Sequence, residues 1–183
     1  MFQPDFRHLL KSETQADHEL VDGLMSSIDL ATRDGFLRFL IIHQGCFAAM
    51  RDLVPQDSET RRGLDELVAR INSDLAILDV SDHAESQRDI PAPDTLAVDY
   101  VIEGSRLGSK VLKRRWLDAS DPKVRQASAY FTLAPAPGRW RDICSQLSAI
   151  SPKSDRALRI VNDTRALFAL FFDAASGPVA GHL

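Results

Sequence analysis

Three side chains near the N-terminus have the types and spacing to bind a metal-bearing or anionic ligand. Thr14 and His18 are four residues apart and Lys11 lies seven residues before His18, so a helix would place all three on one face. A neutral imidazole can ligate iron, and a lysine two turns away can bind an anion. The stripe alone is weak, because a single histidine on a helix is more commonly a surface or core residue.

A second feature lies about ninety residues further on, where two glycines four residues apart interrupt a helical pattern. Each of them, Gly104 and Gly108, costs about 1 kcal/mol relative to alanine inside a helix. Close packing of another helix is one explanation, and the approach of the backbone to a flat ligand is the other. Ser105 and Ser109 keep the neighbourhood small and add hydroxyls. We expect Arg106 to be solvated and to point away from both glycines.

The elements that must position these residues are helices. Apolar residues recur with helical periodicity and few segments alternate with period two, so the sequence predicts an all-α fold in a single domain over residues 1–183. Asp5, Thr32 and Ser58 are placed as helix N-caps, and Pro55 ends the second helix. A loop is predicted at about 79–94 and a frayed tail at 176–183. The predicted helices cover about 5–27, 32–54, 58–78, 94–116, 122–131, 138–150 and 152–175.

The composition is that of an ordinary soluble domain, with 44% apolar and 26% charged residues among 183. The net charge of −4 argues against non-specific nucleic-acid binding, and no apolar run approaches the roughly 18–20 residues of a membrane span. The N-terminus lacks the regions of a signal peptide. Cys46 and Cys144 have no metal-binding spacing, so we expect buried free thiols and a cytoplasmic location.

Four segments carry a family resemblance: LKSETQADH at residues 10–18, TRDGF at 32–36, YVIEGSRLGSKVL at 100–112 and, more faintly, YFT at 130–132 followed by Arg139 and Trp140. In this order they resemble the heme oxygenases, especially the bacterial biliverdin-producing type that accompanies phytochromes. The first segment is similar to the family's proximal-histidine motif, the second to the opening of its second helix, and the third to its distal helix.

The resemblance implies an all-helical fold with heme between the first helix and the glycine-bearing one. It implies an oxidoreductase that opens heme to biliverdin with release of CO and Fe²⁺, using O₂ and electrons from a separate ferredoxin or reductase. His18 would be the axial ligand of the iron, and Gly104, Ser105 and Gly108 would act on the distal side. Lys11 would face a heme propionate, and Arg139 falls near a second basic position of the family. The remaining heme contacts implied are Thr14, Tyr100 and Ser109.

Two departures from the family pattern keep other functions open. Ser105 stands where some members carry a carboxylate, and Ser109 stands where another glycine is frequent. A heme-binding or heme-sensing protein without turnover is therefore an alternative. A diiron oxidase would need Glu-x-x-His pairs, which the sequence lacks. A thiamin-degrading enzyme of similar shape would have to recruit Cys144, and a purely structural helical domain would leave the glycine pair unexplained.

Several other residues receive the simpler interpretation. We expect His43 to be a satisfied core or cleft histidine, and Phe168 and Trp140 to be core or interface aromatics. Arg165 is expected to be solvated. Basic residues at 113–115 are interpreted as a solvated helix end, with a docking patch for an acidic electron donor as the alternative.

Overall fold

The computed structural model, which describes residues 5–80 and 90–177, contains helices and no strand within those ranges. The predicted all-α class is confirmed. The helices are α1 (Phe6–Ser27), α2 (Arg33–Leu53), α3 (Glu59–Ile77), α4 (Thr95–Leu117), α5 (Pro122–Gln126), α6 (Ala129–Thr132), α7 (Arg139–Ser148) and α8 (Asp155–Ser176). None of these helices is long and apolar enough to cross a membrane.

The helix starts follow from local chemistry. The side chains of Asp5, Thr32 and Ser58 each accept a backbone N–H from the third residue after them, so all three predicted N-caps are confirmed. Gly35 is required at the start of α2, because a Cβ there would lie 2.0 Å from the carbonyl oxygen of Asp29. The glycine of the TRDGF segment therefore allows the chain before α2 to pass close to the first turn of that helix.

The prediction of one helix over 122–131 is wrong in one respect, because the structure has two helices there, α5 and α6. The chain leaves helical geometry at Ala127. Asp74 of α3 then binds the start of α6, where its carboxylate oxygens accept the backbone N–H groups of Ala129 and Tyr130, each at 2.8 Å. The described residues leave out most of the predicted loop, including His83. They also leave out all but the first two residues of the predicted tail, including His182.

The long helix α8 has its main packing contacts with three other helices. It lies against α1, α2 and α4, while α2 packs on α3, and α7 contacts both α1 and α4. Aromatic rings fill the centre, where Phe36, Phe39 and Phe131 stack with centroids 5.8–6.4 Å apart. Buried apolar residues from all of the described helices belong to one hydrophobic cluster.

Polar contacts fix α4 near both of its ends. At its N-terminus the carboxylate of Asp94 caps the helix and pairs with Arg156 of α8, while the Asp94 N–H donates to Asp163. Near its C-terminus the guanidinium of Arg115 donates to the carbonyl of Ile28, just after α1. The helix is continuous between these contacts and runs through both glycines.

Candidate functional site

A cleft of about 360 Å³ separates α1 from α4. Both helices pack against α7 and α8, which hold them apart. The residues that line the cleft are Arg7, His8, Lys11, Thr14, Gln15, His18, Tyr100, Val101, Gly104, Ser105, Leu107, Trp140 and Phe168. The stripe of α1 and the first glycine of α4, identified separately in the sequence, therefore border the same space.

The α1 side presents one buried hydroxyl and one exposed imidazole. Thr14 is only 1% exposed and its hydroxyl donates to the Leu10 carbonyl at 2.8 Å, so its proton is already engaged. The His18 ring meets the Phe168 ring edge-on, with centroids 5.6 Å apart. Within the described ranges neither nitrogen of His18 has a hydrogen-bond partner, which leaves the imidazole available to a ligand.

The α4 side combines small residues with an aromatic wall. A Cβ added at Gly104 would lie 3.6 Å from the Trp140 ring, which is an ordinary contact. Tyr100 stacks on the same ring at 5.7 Å between centroids. Burial raises the pKa of the Tyr100 hydroxyl, with a further rise from Cys144, while Thr14 lowers it. Tyr100 therefore enters the cleft as a neutral phenol.

The two serine hydroxyls of α4 are directed to their own helix. Ser105 donates to the Ile102 carbonyl at 2.8 Å, and Ser109 donates to the Arg106 carbonyl at 2.6 Å. Each oxygen keeps lone pairs that can accept a hydrogen bond. Ser105 lines the cleft, so its oxygen can hold water there, whereas Ser109 is not among the lining residues.

The structure does not bring Gly108 and Arg139 to the cleft. Gly108 is exposed, and a Cβ added there would meet nothing within 4 Å, so packing of another helix does not explain this glycine. The guanidinium of Arg139 is bound by Asp99 at 2.7 Å and Glu59 at 2.8 Å, and it borders a different cleft between α3 and α4. Its partners come from distant segments, which the sequence motif did not reveal.

Three arginines expected to be solvated have protein partners instead. Arg106 is half-buried and donates to the Leu133 carbonyl, because it turns toward the chain after α6. Arg165 of α8 binds the carbonyl and carboxylate of Glu13 and so joins α8 to α1. Arg115 bonds to the chain after α1, so it also contributes less to the docking patch that was the alternative interpretation of residues 113–115.

His43 lies away from the cleft, in the aromatic centre, as a satisfied core histidine. Its Nδ1–H donates to the Phe39 carbonyl at 2.9 Å. Burial lowers the pKa of this imidazole to about 4, and the bond to Phe39 opposes the shift only in part. Cys46 and Cys144 are both buried, and neither forms a disulfide within the described residues. The described residues contain no group of three or more His, Cys, Asp or Glu side chains able to hold a metal ion.

The lining residues that were not identified as site residues from the sequence number seven: Arg7, His8, Gln15, Val101, Leu107, Trp140 and Phe168. Trp140 and Phe168 come from α7 and α8 and reach the cleft only through tertiary packing. Arg7 and His8 precede the motif, and one signal could have found Arg7, which lies four residues before Lys11 and so shares its helix face.

The lining of the cleft fits a flat, largely apolar ring with acidic groups at one edge. Val101, Leu107, Trp140 and Phe168 supply apolar surface. Arg7 and Lys11 supply positive charge on one turn of α1, and His18 supplies a nitrogen that could ligate a metal at the centre of such a ring. Heme has this combination of features.

The chain shares the fold of a solved heme oxygenase. The structure of the NO- and CO-bound heme oxygenase from Neisseria meningitidis matches it with a TM-score of 0.70 and 20% sequence identity, over 98% of this chain and 96% of that one. At this identity the match establishes a common fold. No family model and no curated protein matches the sequence.

Proposed function

We propose that this protein is a heme oxygenase, which opens heme to biliverdin with release of CO and Fe²⁺. The observation that carries the proposal is the cleft itself, which the His18 imidazole borders from α1 and Gly104 borders from α4. The shared fold with the Neisseria enzyme supports it. Bound heme would supply the iron that activates O₂ against the porphyrin ring, and a separate ferredoxin or reductase would supply the electrons.

Each side chain has a role that its position supports. His18 holds the iron through a ring nitrogen that has no competing hydrogen bond among the described residues. Phe168, whose ring meets the His18 ring edge-on, limits the positions open to that imidazole, and Thr14 is buried one turn before it on the same helix. Gly104 leaves room for a small ligand on the opposite face, and the Ser105 oxygen orients water there. Lys11 binds a carboxylate at the rim.

The finer assignments belong to the same proposal. We propose the bacterial, phytochrome-associated type because Ser105 stands where some heme oxygenases carry a carboxylate, and serine is common there in the bacterial branch. We propose that it works in the cytoplasm. A heme-binding or heme-sensing protein without turnover is the second candidate, favoured by the side chain of Ser109 at a position where glycine is frequent.

The test is a titration with hemin followed by reduction in air with ascorbate or a ferredoxin system. We expect a one-to-one Soret band that decays to the spectrum of biliverdin. A stable Soret band that never decays would establish the heme-binding candidate instead, and absence of any band would refute both.

The role of His18 is tested by His18→Ala. Because His18 is the only proposed iron ligand, the variant should lose turnover and bind hemin more weakly, and added imidazole should restore part of the Soret band. Gln15→Ala, which alters an exposed residue of the same cleft, is the matched control and should keep the wild-type spectrum. Wild-type turnover in His18→Ala would refute the assignment.

A further inference from the structure

One end of the cleft carries two cations that no carboxylate of residues 5–80 or 90–177 neutralises. Arg7 and Lys11 lie one turn apart on α1, on the face that also carries Thr14 and His18. In the described chain neither of them forms an ion pair with an acidic side chain. Most other arginines on these helices are paired or bonded to carbonyls, Arg139 and Arg165 among them. Two cations beside an apolar cleft, each without a carboxylate partner among the described residues, indicate a ligand that brings two acidic groups.

A short chain of hydrogen bonds orients Arg7. Its guanidinium donates to Nε2 of His8, and Nδ1 of His8 faces the carboxylate of Asp5. Because a guanidinium can only donate, Nε2 must accept, and the proton of the neutral ring must sit on Nδ1 and be donated to Asp5. The second carboxylate oxygen of Asp5 accepts a bond from the Ser148 hydroxyl of α7 at 2.7 Å.

Asp5, which receives the last hydrogen bond from His8, is a stable anion. The bond from Ser148, followed by the backbone and side-chain bonds from His8, lowers the pKa of Asp5 to about 2. Asp5 also caps α1, so its position is fixed by the helix itself. The direction of Arg7 is therefore determined by α1 and α7 together, and the guanidinium keeps its remaining N–H donors for a ligand in the cleft.

We propose that Arg7 is the second carboxylate-binding residue of the site and that, with Lys11, it sets the in-plane orientation of the bound ring, with His8 as a positioning residue. This inference rests on the proposed function. It assigns to Arg7 the part that the sequence resemblance suggested for Arg139, whose guanidinium is held by Asp99 and Glu59. The two propionates of heme lie side by side on one edge of the ring. Two cations one helical turn apart are therefore suitably spaced to bind one propionate each.

The test compares the binding of hemin with that of hemin dimethyl ester, in which the carboxylates are blocked. Soret titrations give the affinity ratio of diacid to diester for each variant of the full chain. Arg7→Met keeps the length of the side chain and removes its charge, so the ratio should fall about fivefold, the size of one partly exposed ion pair. Arg7→Lys should retain most of the ratio.

Arg125→Met is the matched control. Arg125 is exposed on α5 and lies outside the cleft, so its variant should keep the wild-type ratio. His8→Leu should lower the ratio by about twofold, and His8→Gln, which keeps an acceptor for Arg7, should restore it. A second readout is the biliverdin isomer made by Arg7→Met, which should shift toward a mixture.

The outcomes separate the two proposals. If the wild type binds hemin and Arg7→Met keeps the wild-type ratio, the role of Arg7 is refuted while the heme site stands. If the ratio falls equally in Arg125→Met, the effect is one of net charge and the role of Arg7 is again refuted. If the wild type binds neither hemin nor its ester, the proposed function itself fails.

Discussion

The three histidines of the described chain differ in what their rings can do, although each lies on a helix. His8 is held between Arg7 and Asp5, and His43 is buried among aromatic rings with its Nδ1–H on a carbonyl. His18 alone among them borders the cleft with both ring nitrogens free of hydrogen bonds. Residue type therefore says little at these positions, and the surroundings decide that His18 is the one suited to bind a metal.

His43 gives a prediction about pH. The folded protein protonates this imidazole only near pH 4, whereas the unfolded chain does so near the ordinary value of 6.5. Between these values the unfolded state binds more protons, so the contribution of His43 is complete above pH 6.5 and is lost as the pH falls toward 4. Its limit is about 3 kcal/mol at the usual 1.36 kcal/mol per pKa unit.

Urea unfolding of the wild type and of His43→Gln at several pH values would measure this effect. The amide of glutamine can still donate to the Phe39 carbonyl but does not titrate. The free energy of unfolding of the variant should therefore fall less steeply between pH 6.5 and 4. Equal slopes in the two proteins would contradict the prediction.

At the scale of elements, two glycines lower the stability of α4 in and next to the part that borders the cleft. A Cβ added at Gly104 would contact only the Trp140 ring, and a Cβ added at Gly108 would meet nothing within 4 Å. Neither position requires glycine for backbone geometry, because both have ordinary helical dihedrals and no positive φ. Packing therefore does not offset the cost of the two glycines. For Gly104, which lines the cleft, the proposed function supplies access to the cleft as the explanation, and for Gly108, which is not among the lining residues, it supplies flexibility of α4.

Gly108→Ala separates stability from function. The added methyl meets no neighbour, so the free energy of unfolding should rise by about 0.5–1 kcal/mol. If glycine is kept for flexibility of α4, turnover should fall although stability rises. Gly63→Ala in α3 is the matched control, since its Cβ also meets nothing within 4 Å, and it should stabilise the protein without loss of turnover.

The reverse result is equally informative. If Gly108→Ala and Gly63→Ala give the same stabilisation and the same wild-type turnover, the second glycine of α4 has no catalytic part. The proposal for the site would then rest on Gly104 and Ser105.

The sequence could predict those elements whose causes are local. The caps Asp5, Thr32 and Ser58 act within three residues, and the face shared by Thr14 and His18 follows from helical period alone. The break between α5 and α6 could not be predicted, because it depends on a carboxylate more than fifty residues away. For the same reason Arg139 was expected at the heme site, while its actual partners come from α3 and α4.

At the scale of the whole molecule, a few buried polar contacts join segments that are distant in the chain. Asp74 is completely buried, and its carboxylate connects α3 to the start of α6. Burial raises the pKa of this carboxyl, and the two N–H bonds lower it. The segment so held carries Tyr130 and Phe131, which pack in the aromatic centre, so this carboxylate helps to position two of the central rings.

Asp74→Ala should therefore lower the free energy of unfolding by about 2–3 kcal/mol, because two buried N–H groups would lose their acceptors. Asp74→Asn keeps one acceptor oxygen and should cost about half as much. Asp65→Ala, at an exposed carboxylate of the same helix, should cost less than about 0.5 kcal/mol. Urea denaturation measures all three, and equal losses for Asp74 and Asp65 would contradict the role given to Asp74.

The anchoring of α4 has a mechanical consequence. The helix has 23 residues, about 35 Å, and behaves as a beam supported at each end by Asp94 and Arg115. A beam of this kind bows rather than swings, and its deflection is greatest midway between the supports, which falls between Gly104 and Ser105. Gly104 therefore lies where the beam should be most compliant, and the bond from Arg106 to the Leu133 carbonyl restrains the residues that follow. The fold thus allows the cleft to widen in its middle while both supports, and the core beneath them, stay in place.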